Sequence, residues 1–121
     1  MRTMLVIDDD PAWRSLYRIM FEGKFEIVEA RDGQEGLALY EEVSPDLVIV
    51  DLRMPRMDGA AFLGELRGKP HMAPVIVCTA VSREAAPLAR MGVRVVPKSP
   101  GLKELWSVVS SFDFEQRECS T

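Results

Sequence analysis

The chain alternates between short apolar runs and longer segments with helical spacing, and this alternation limits its fold more than any other feature. Runs rich in apolar and β-branched residues, typical of strands, occupy residues 3–7, 25–28, 47–50, 74–78 and 93–96. The third and fourth runs are apolar almost throughout, which favours strands covered on both faces. Five strands alternating with five helical segments predict a single α/β domain with one doubly wound parallel sheet.

The helix boundaries are also marked in the sequence. Asp10 followed by Pro11 predicts an N-cap and the first residue of helix 1. A buried face on that helix is predicted for Trp13, Leu16, Tyr17 and Met20. Residues 32–33 predict the start of the second helix, and residues 44–45 its end. Pro87 lies within the fourth helical segment, where a proline costs about 3 kcal/mol unless it occupies the first turn. We therefore expect that helix to be short or to begin late.

Size and charge restrict the function further. The 121 residues suffice for one domain, 1–121, whose polar end at 113–121 we expect to fray. The chain carries 15 basic and 19 acidic residues, a balance that argues against direct binding of nucleic acid. Because no run of about 18 apolar residues and no signal peptide is present, we expect a cytoplasmic protein without membrane association. Cys78 and Cys119 form neither a metal-binding nor a redox motif.

Polar residues follow four of the predicted strands. Asp8 and Asp9 come after strand 1, Asp51 after strand 3 and Lys98 after strand 5, while Thr79 closes strand 4. With the strand order 2-1-3-4-5, strands 1 and 3 are neighbours where the winding reverses, so their three carboxylates should converge. Such charges repel by about 1 kcal/mol or more per pair. A hard cation such as Mg²⁺ would neutralise them, and the lysine would supply a second counter-charge.

Each of these residues also has a purely structural explanation when it is taken alone. The run Asp8 to Asp10 suits a helix N-cap, and Asp51 suits a turn at the end of a strand. Thr79 is a β-branched residue in a strand, and a single Lys98 is typical of a protein surface. Their joint occurrence, in order, at the ends of adjacent strands favours a site.

The residues around these positions resemble the receiver (phosphoacceptor) domain of two-component response regulators, and among them the chemotaxis response regulator. The similar stretches are Leu-Val-Ile-Asp-Asp-Asp at 5–10, Pro-Asp-Leu-Val-Ile-Val-Asp-Leu-Arg-Met-Pro at 45–55, Met-Asp-Gly at 57–59, Val-Ile-Val-Cys-Thr-Ala at 75–80 and Val-Pro-Lys at 96–98. This resemblance covers essentially the whole chain. It implies a flavodoxin-like fold with strand order 2-1-3-4-5.

The resemblance also implies roles for individual residues. Asp51 would be the phosphoacceptor. Mg²⁺, or Mn²⁺, would be held by Asp9 directly, by Asp8 mainly through water, by Asp51, and by the backbone carbonyl of Arg53. The metal would help to neutralise charge on the transferred group, as phosphoryl transfer requires.

The remaining implied roles concern the phosphoryl group and its source. Thr79 would donate a hydrogen bond to it, and Lys98 would pair with its oxygens. The donor would be a sensor histidine kinase or a histidine phosphotransfer protein, and a weak homodimer stays open as an alternative to a monomer. Signalling through a conformational change would be followed by slow self-dephosphorylation. Catalysis would thus be confined to the chain's own Asp51, so the protein would not be an enzyme in the usual sense.

Three departures from the family pattern bear on signalling. Val95 stands where the family carries Tyr or Phe, three residues before the lysine. Ser99 separates Lys98 from Pro100, whereas in the family a cis proline follows the lysine directly. The span from Thr79 to Lys98 is short. We expect an altered output mechanism, in which the loop after Thr79 responds to the phosphoryl group and strand 5 stays nearly fixed.

Three rival interpretations agree less well with these residues. An aspartate-nucleophile phosphatase of the dehalogenase type needs a second acid two positions after the nucleophile, where this chain has Arg53. A receiver-like interaction module without phosphorylation would have no need of the five polar residues at the strand ends. A flavodoxin-like cofactor binder would need a phosphate loop after strand 1, where Asp8 to Asp10 would repel a flavin phosphate.

Overall fold

The computed structural model of the protein describes residues 1–69, 72–80, 82–90, 93–99 and 102–112. The strands are β1 (Arg2–Ile7), β2 (Phe25–Ala30), β3 (Leu47–Val50), β4 (Val75–Thr79) and β5 (Arg94–Pro97). The helices are α1 (Pro11–Phe21), α2 (Gly33–Val43), α3 (Gly59–Leu66), α4 (Ala86–Ala89) and α5 (Lys103–Ser110). All strand pairs are parallel, in the order β2-β1-β3-β4-β5. This confirms the predicted fold.

The sheet separates two apolar cores because successive side chains of a strand point to opposite faces. On one face, Met4 and Val6 of β1 pack in a cluster with residues of α1 and α5. On the other face, Leu5 and Ile7 join a cluster with residues of α2, α3 and α4. The central strand β3 is buried at every position, which agrees with its continuous apolar sequence.

Strand register determines which residues meet at the carboxyl edge of the sheet. The last pair between β1 and β3 is Ile7 with Val50, so Asp8 and Asp51 follow at the same level. Thr79 pairs with Pro97 at the end of β4 and β5, which brings Lys98 to the same edge.

The predicted helix starts are confirmed. The Asp10 side chain accepts a hydrogen bond from Ala12 N at 2.9 Å, and Pro11 is the first helical residue. Asp32 caps α2 in the same way, and Ser44 ends that helix in the left-handed conformation. Pro87 lies in the first turn of α4, which has four residues and directly follows a 3-10 turn at Ser82–Ala85. The fourth helix is therefore as short as its proline predicts.

Some predicted boundaries and one predicted core position were wrong. Strand β2 extends two residues further than predicted, to Ala30, because its register with β1 continues to Ile7. Strand β5 is shifted by one residue, to Arg94–Pro97. Leu16 is 44% exposed because the buried face of α1 centres on Tyr17 and Phe21.

Some of the sequence-based predictions concern residues beyond the described ranges. The expected fraying of 113–121 and the setting of Pro100 and Cys119 fall there. Within the described ranges, no helix is both long and apolar enough to cross a membrane.

Candidate metal centre and acidic site

Three carboxylates meet at the carboxyl edge of the sheet, as the sequence predicts. Asp8, Asp9 and Asp51 each place one carboxylate oxygen within 4.8 Å of the other two. Asp8 and Asp51 are buried, whereas Asp9 is exposed. The cluster thus has a closed side formed by the strand ends and an open side at Asp9.

Lys98 bridges the two buried carboxylates. Its Nζ lies 2.7 Å from Asp8 Oδ2 and 2.9 Å from Asp51 Oδ2, and its side chain is only 5% exposed. The ammonium also lies over the ring of Trp13, 4.9 Å from its centroid, in a cation–π contact. The predicted meeting of the strand-5 lysine with the acidic residues is therefore observed.

The electrostatics of the cluster favour a divalent cation. Burial raises the pKa of Asp8, and the hydrogen bond from Lys98 only partly offsets this. Burial lowers the pKa of Lys98, but its hydrogen bonds to Asp8 and Asp51 and its attraction to their charges together outweigh that effect, so the net shift is upward. Three carboxylates and one ammonium leave two negative charges, which match the charge of such an ion. The donor set consists of hard oxygen atoms, and it fits Mg²⁺ or a similar cation.

Asp8 and Asp10 have different tasks in the acidic run. Asp10 caps α1, so the N-cap explanation is correct for this residue. Asp8 instead accepts a hydrogen bond from Asp10 N to Oδ1 at 3.0 Å, while its Oδ2 faces Lys98. Arg14 holds the Asp8 backbone, since its Nη1 donates to the Asp8 carbonyl at 2.7 Å. The run therefore begins a helix and also supplies carboxylates to the cluster.

The other predicted site residues lie around the cluster. Thr79 is buried at the end of β4, and its carbonyl accepts a hydrogen bond from Lys98 N at 3.0 Å. Val95 is half-buried and packs against the core on the α4 side. The Arg53 side chain is exposed and forms a two-point ion pair with Glu84 of the 3-10 turn, with Nε 2.8 Å from Oε2.

Gly59 allows α3 to begin directly against the backbone that follows β3. A Cβ at this position would lie 2.4 Å from the carbonyl oxygen of Asp51 and 3.0 Å from the Cα of Leu52. Gly59 N donates to the Leu52 carbonyl at 2.9 Å, and Asp58 caps the helix through Ala61 N. The Met-Asp-Gly motif thus fixes the loop that follows Asp51.

Sequence reasoning did not find four residues around the site: Trp13, Arg14, Tyr17 and Glu84. Tyr17 was predicted only as part of an apolar face, although a buried tyrosine hydroxyl usually needs a partner. That requirement was the one available signal. The contacts of the other three depend on tertiary packing, which spacing along the chain does not reveal.

Comparison with known proteins shows one consistent similarity. The family model described as "Response regulator receiver domain" matches residues 4–107. The chain is 37% identical over 86 residues to the chemotaxis protein CheY of Listeria monocytogenes, covering 69% of this chain and 72% of that protein. CheY of Bacillus subtilis is 36% identical over 84 residues, covering 68% and 70% respectively.

Among solved structures, the chain is similar to the response regulator protein TrrA from Thermotoga maritima in complex with Mg²⁺-BeF. The TM-score is 0.82 and the identity 35%, covering 91% of this chain and 97% of that one. The similarity therefore includes both the fold and the sequence.

Proposed function

Because this chain belongs to the response regulator receiver domain family, we propose that it accepts a phosphoryl group on Asp51 in a Mg²⁺-dependent reaction. Membership of the family places the chain in phosphorelay signalling. The phosphodonor is a phosphohistidine on a sensor kinase or on a phosphotransfer protein. Transfer breaks the P–N bond of the donor and forms a P–O bond to an Asp51 carboxylate oxygen. Water later hydrolyses the resulting acyl phosphate.

The observation that carries this proposal is the pairing of Asp51 with Lys98 beside two further carboxylates. Asp51 Oδ2 lies 2.9 Å from Lys98 Nζ, so a cation is already next to the oxygen that would attack. The attacking group must be an ionised carboxylate. The same ammonium can neutralise negative charge on the incoming phosphoryl oxygens.

The metal would be held by Asp8, Asp9, Asp51 and the backbone carbonyl of Arg53. When bound, Mg²⁺ (or Mn²⁺) neutralises charge on the phosphoryl oxygens and on the carboxylates that surround them. Support comes from the three carboxylate oxygens within 4.8 Å of one another. Further support is that TrrA, which the chain resembles, was solved with Mg²⁺-BeF.

Two residues of the chain would position the phosphoryl group. Thr79, at the end of β4, would donate a hydrogen bond from its hydroxyl to a phosphoryl oxygen. Lys98 would exchange its bond with Asp51 for bonds to the phosphoryl group, and the Trp13 ring would remain beside the ammonium. Both residues sit on strand ends that are paired in register, so they would need little rearrangement to act together.

The rival functions find less support. Position 53, where a dehalogenase-type phosphatase needs its second acid, holds an arginine whose guanidinium pairs with Glu84. A module that only binds a partner would not need the buried carboxylates of Asp8 and Asp51. Burying a charged group costs free energy, so two such groups side by side favour a function that uses them.

The direct test is phosphorylation with a small donor. Incubation with Mg²⁺ and either acyl phosphate or phosphoramidate should add the mass of one phosphoryl group to the intact protein. Asp51→Asn should abolish the gain. Asp10→Asn is the matched control: it changes a neighbouring acid but keeps a good N-cap residue, so it should be phosphorylated like the unchanged protein. An equal gain in Asp51→Asn, or no gain in the unchanged protein with either donor, would refute the proposal.

A further inference from the structure

A tyrosine hydroxyl lies beneath the acidic site, on the side of the protein core. Tyr17 belongs to the buried face of α1 and is 1% exposed. Its hydroxyl donates a hydrogen bond to Asp8 Oδ2 at 3.3 Å. Lys98 Nζ lies 2.7 Å from the same oxygen. One carboxylate oxygen therefore contacts both the ammonium of Lys98 and the hydroxyl of Tyr17.

The surroundings of Tyr17 define the direction of this hydrogen bond. Burial raises the pKa of Tyr17, so the hydroxyl stays protonated at neutral pH. Burial also raises the pKa of the Cys78 thiol, to about 11. Since the carboxylate carries a negative charge, it is the stronger acceptor, and the hydroxyl proton is directed at Asp8.

The packing of α1 keeps the tyrosine ring in place. Its ring centroid lies 6.5 Å from that of Trp13, with an interplanar angle of 32°, and both residues pack with the cluster on the α1 face of the sheet. Lys98, by contrast, is shared between Asp8 and Asp51, and in the proposed reaction it would exchange its bond with Asp51 for bonds to the phosphoryl group. The hydroxyl is thus the side-chain donor to Asp8 Oδ2 that does not depend on the state of Asp51.

We propose that the Tyr17 hydroxyl is a positioning group that orients Asp8 for the divalent cation, an inference that rests on the proposed function of the acidic site. Groups that hydrogen-bond to a metal ligand fix its orientation, and their loss typically weakens metal binding by about 10- to 100-fold. The bond to Tyr17 is long, so we expect an effect at the lower end of that range. Without the hydroxyl, the orientation of the Asp8 carboxylate would depend on the contact of its Oδ2 with Lys98.

The experiment compares the two tyrosines of the chain. Tyr17→Phe removes the hydroxyl and keeps the ring. Tyr40→Phe is the matched control, because Tyr40 is also buried but its hydroxyl accepts a hydrogen bond from Ala73 N on the opposite face of the sheet. Both are made in a Trp106→Phe background, which leaves Trp13 beside Lys98 as the fluorescent reporter. Mg²⁺ is titrated in the absence of any phosphodonor.

We expect Tyr17→Phe to raise the dissociation constant for Mg²⁺ roughly tenfold, while Tyr40→Phe leaves it within about twofold. An Asp8→Asn background provides a double-mutant cycle. If Tyr17 acts through the Asp8 carboxylate, its replacement should have little further effect there. Equal affinities for the two phenylalanine variants would overturn the inference, as would a tenfold loss that persists with Asn at position 8.

The outcomes separate this inference from the function on which it rests. Absence of Mg²⁺ binding by the unchanged protein would overturn the metal-dependent proposal itself. Normal binding that is indifferent to Tyr17→Phe would overturn only the positioning role.

Discussion

The two halves of the sheet edge are held in different ways. In the first half, α1, α2 and α3 each begin at an aspartate whose side chain caps the helix: Asp10, Asp32 and Asp58. In the second half, α4 has only four residues and its N-cap residue is Ala85, while the N-cap residue of α5 is Leu102, in the left-handed conformation. Neither of these two residues has a polar side chain that could cap a helix.

This difference assigns different tasks to the two halves. The carboxylates at the ends of β1 and β3 are fixed by strand register and by capped helices, so the acidic cluster is preorganised. The segment from the 3-10 turn to α4 has few such constraints, and local opening is easiest in segments of this kind. One ion pair, between Arg53 and Glu84, joins the loop after Asp51 to this weaker segment.

The largest expected effect on stability concerns the first half, in which aspartates cap the helices. Gly59→Ala should lower the free energy of unfolding by roughly 1–3 kcal/mol, because its Cβ would clash with the Asp51 carbonyl, which is backbone and cannot move aside. Gly64→Ala in the same helix is the control. Nothing lies within 4 Å of a Cβ there, so it should be neutral or stabilising by up to about 1 kcal/mol. Urea denaturation of both variants measures the contrast, and equal stabilities would show that α3 does not pack directly against the residues that follow β3.

A smaller effect is expected from the charge of the cluster. Asp51 faces two carboxylates and one ammonium, so Asp51→Asn should raise the stability of the metal-free protein by about 1 kcal/mol. Saturating Mg²⁺ should stabilise the unchanged protein by mass action and reduce or reverse this difference. Thermal unfolding with EDTA and with Mg²⁺ measures both, with Asp10→Asn as a control. A loss of stability on neutralising Asp51 without metal would contradict the repulsion described here.

The sequence predicted the features that depend on local structure and strand order, and it could not predict those that depend on tertiary packing. Asp10, Asp32 and Pro87 marked their helices correctly, because capping and proline chemistry are local. The convergence of Asp8, Asp51 and Lys98 followed from strand order alone. The hydroxyl of Tyr17 beneath Asp8 depends on how α1 packs on the sheet. Neither that geometry nor the pairing of residues 53 and 84, which are 31 positions apart, leaves a periodic signal in the chain.

The smallest expected effect concerns the link between the halves. Glu84→Gln keeps the shape of the side chain but removes its charge, so it should loosen the segment 82–90 and speed its amide exchange a few-fold. Global stability should hardly change, since exposed ion pairs contribute little. Glu41→Gln breaks another exposed ion pair, with Lys69, and should leave the exchange of 82–90 unaltered. Equal exchange in the two variants would show that the Arg53–Glu84 pair does not restrain this segment.

The most direct test of the account is amide hydrogen exchange with and without beryllofluoride as a phosphate mimic, in the presence of Mg²⁺. Val95 has no ring to swing inward, and its branched side chain has few rotamers. We therefore predict that exchange changes in the segment from Thr79 to residue 90, while β5 (Arg94–Pro97) stays nearly constant. A large, reproducible change across residues 93–106, with the loop after Thr79 unaffected, would contradict the account.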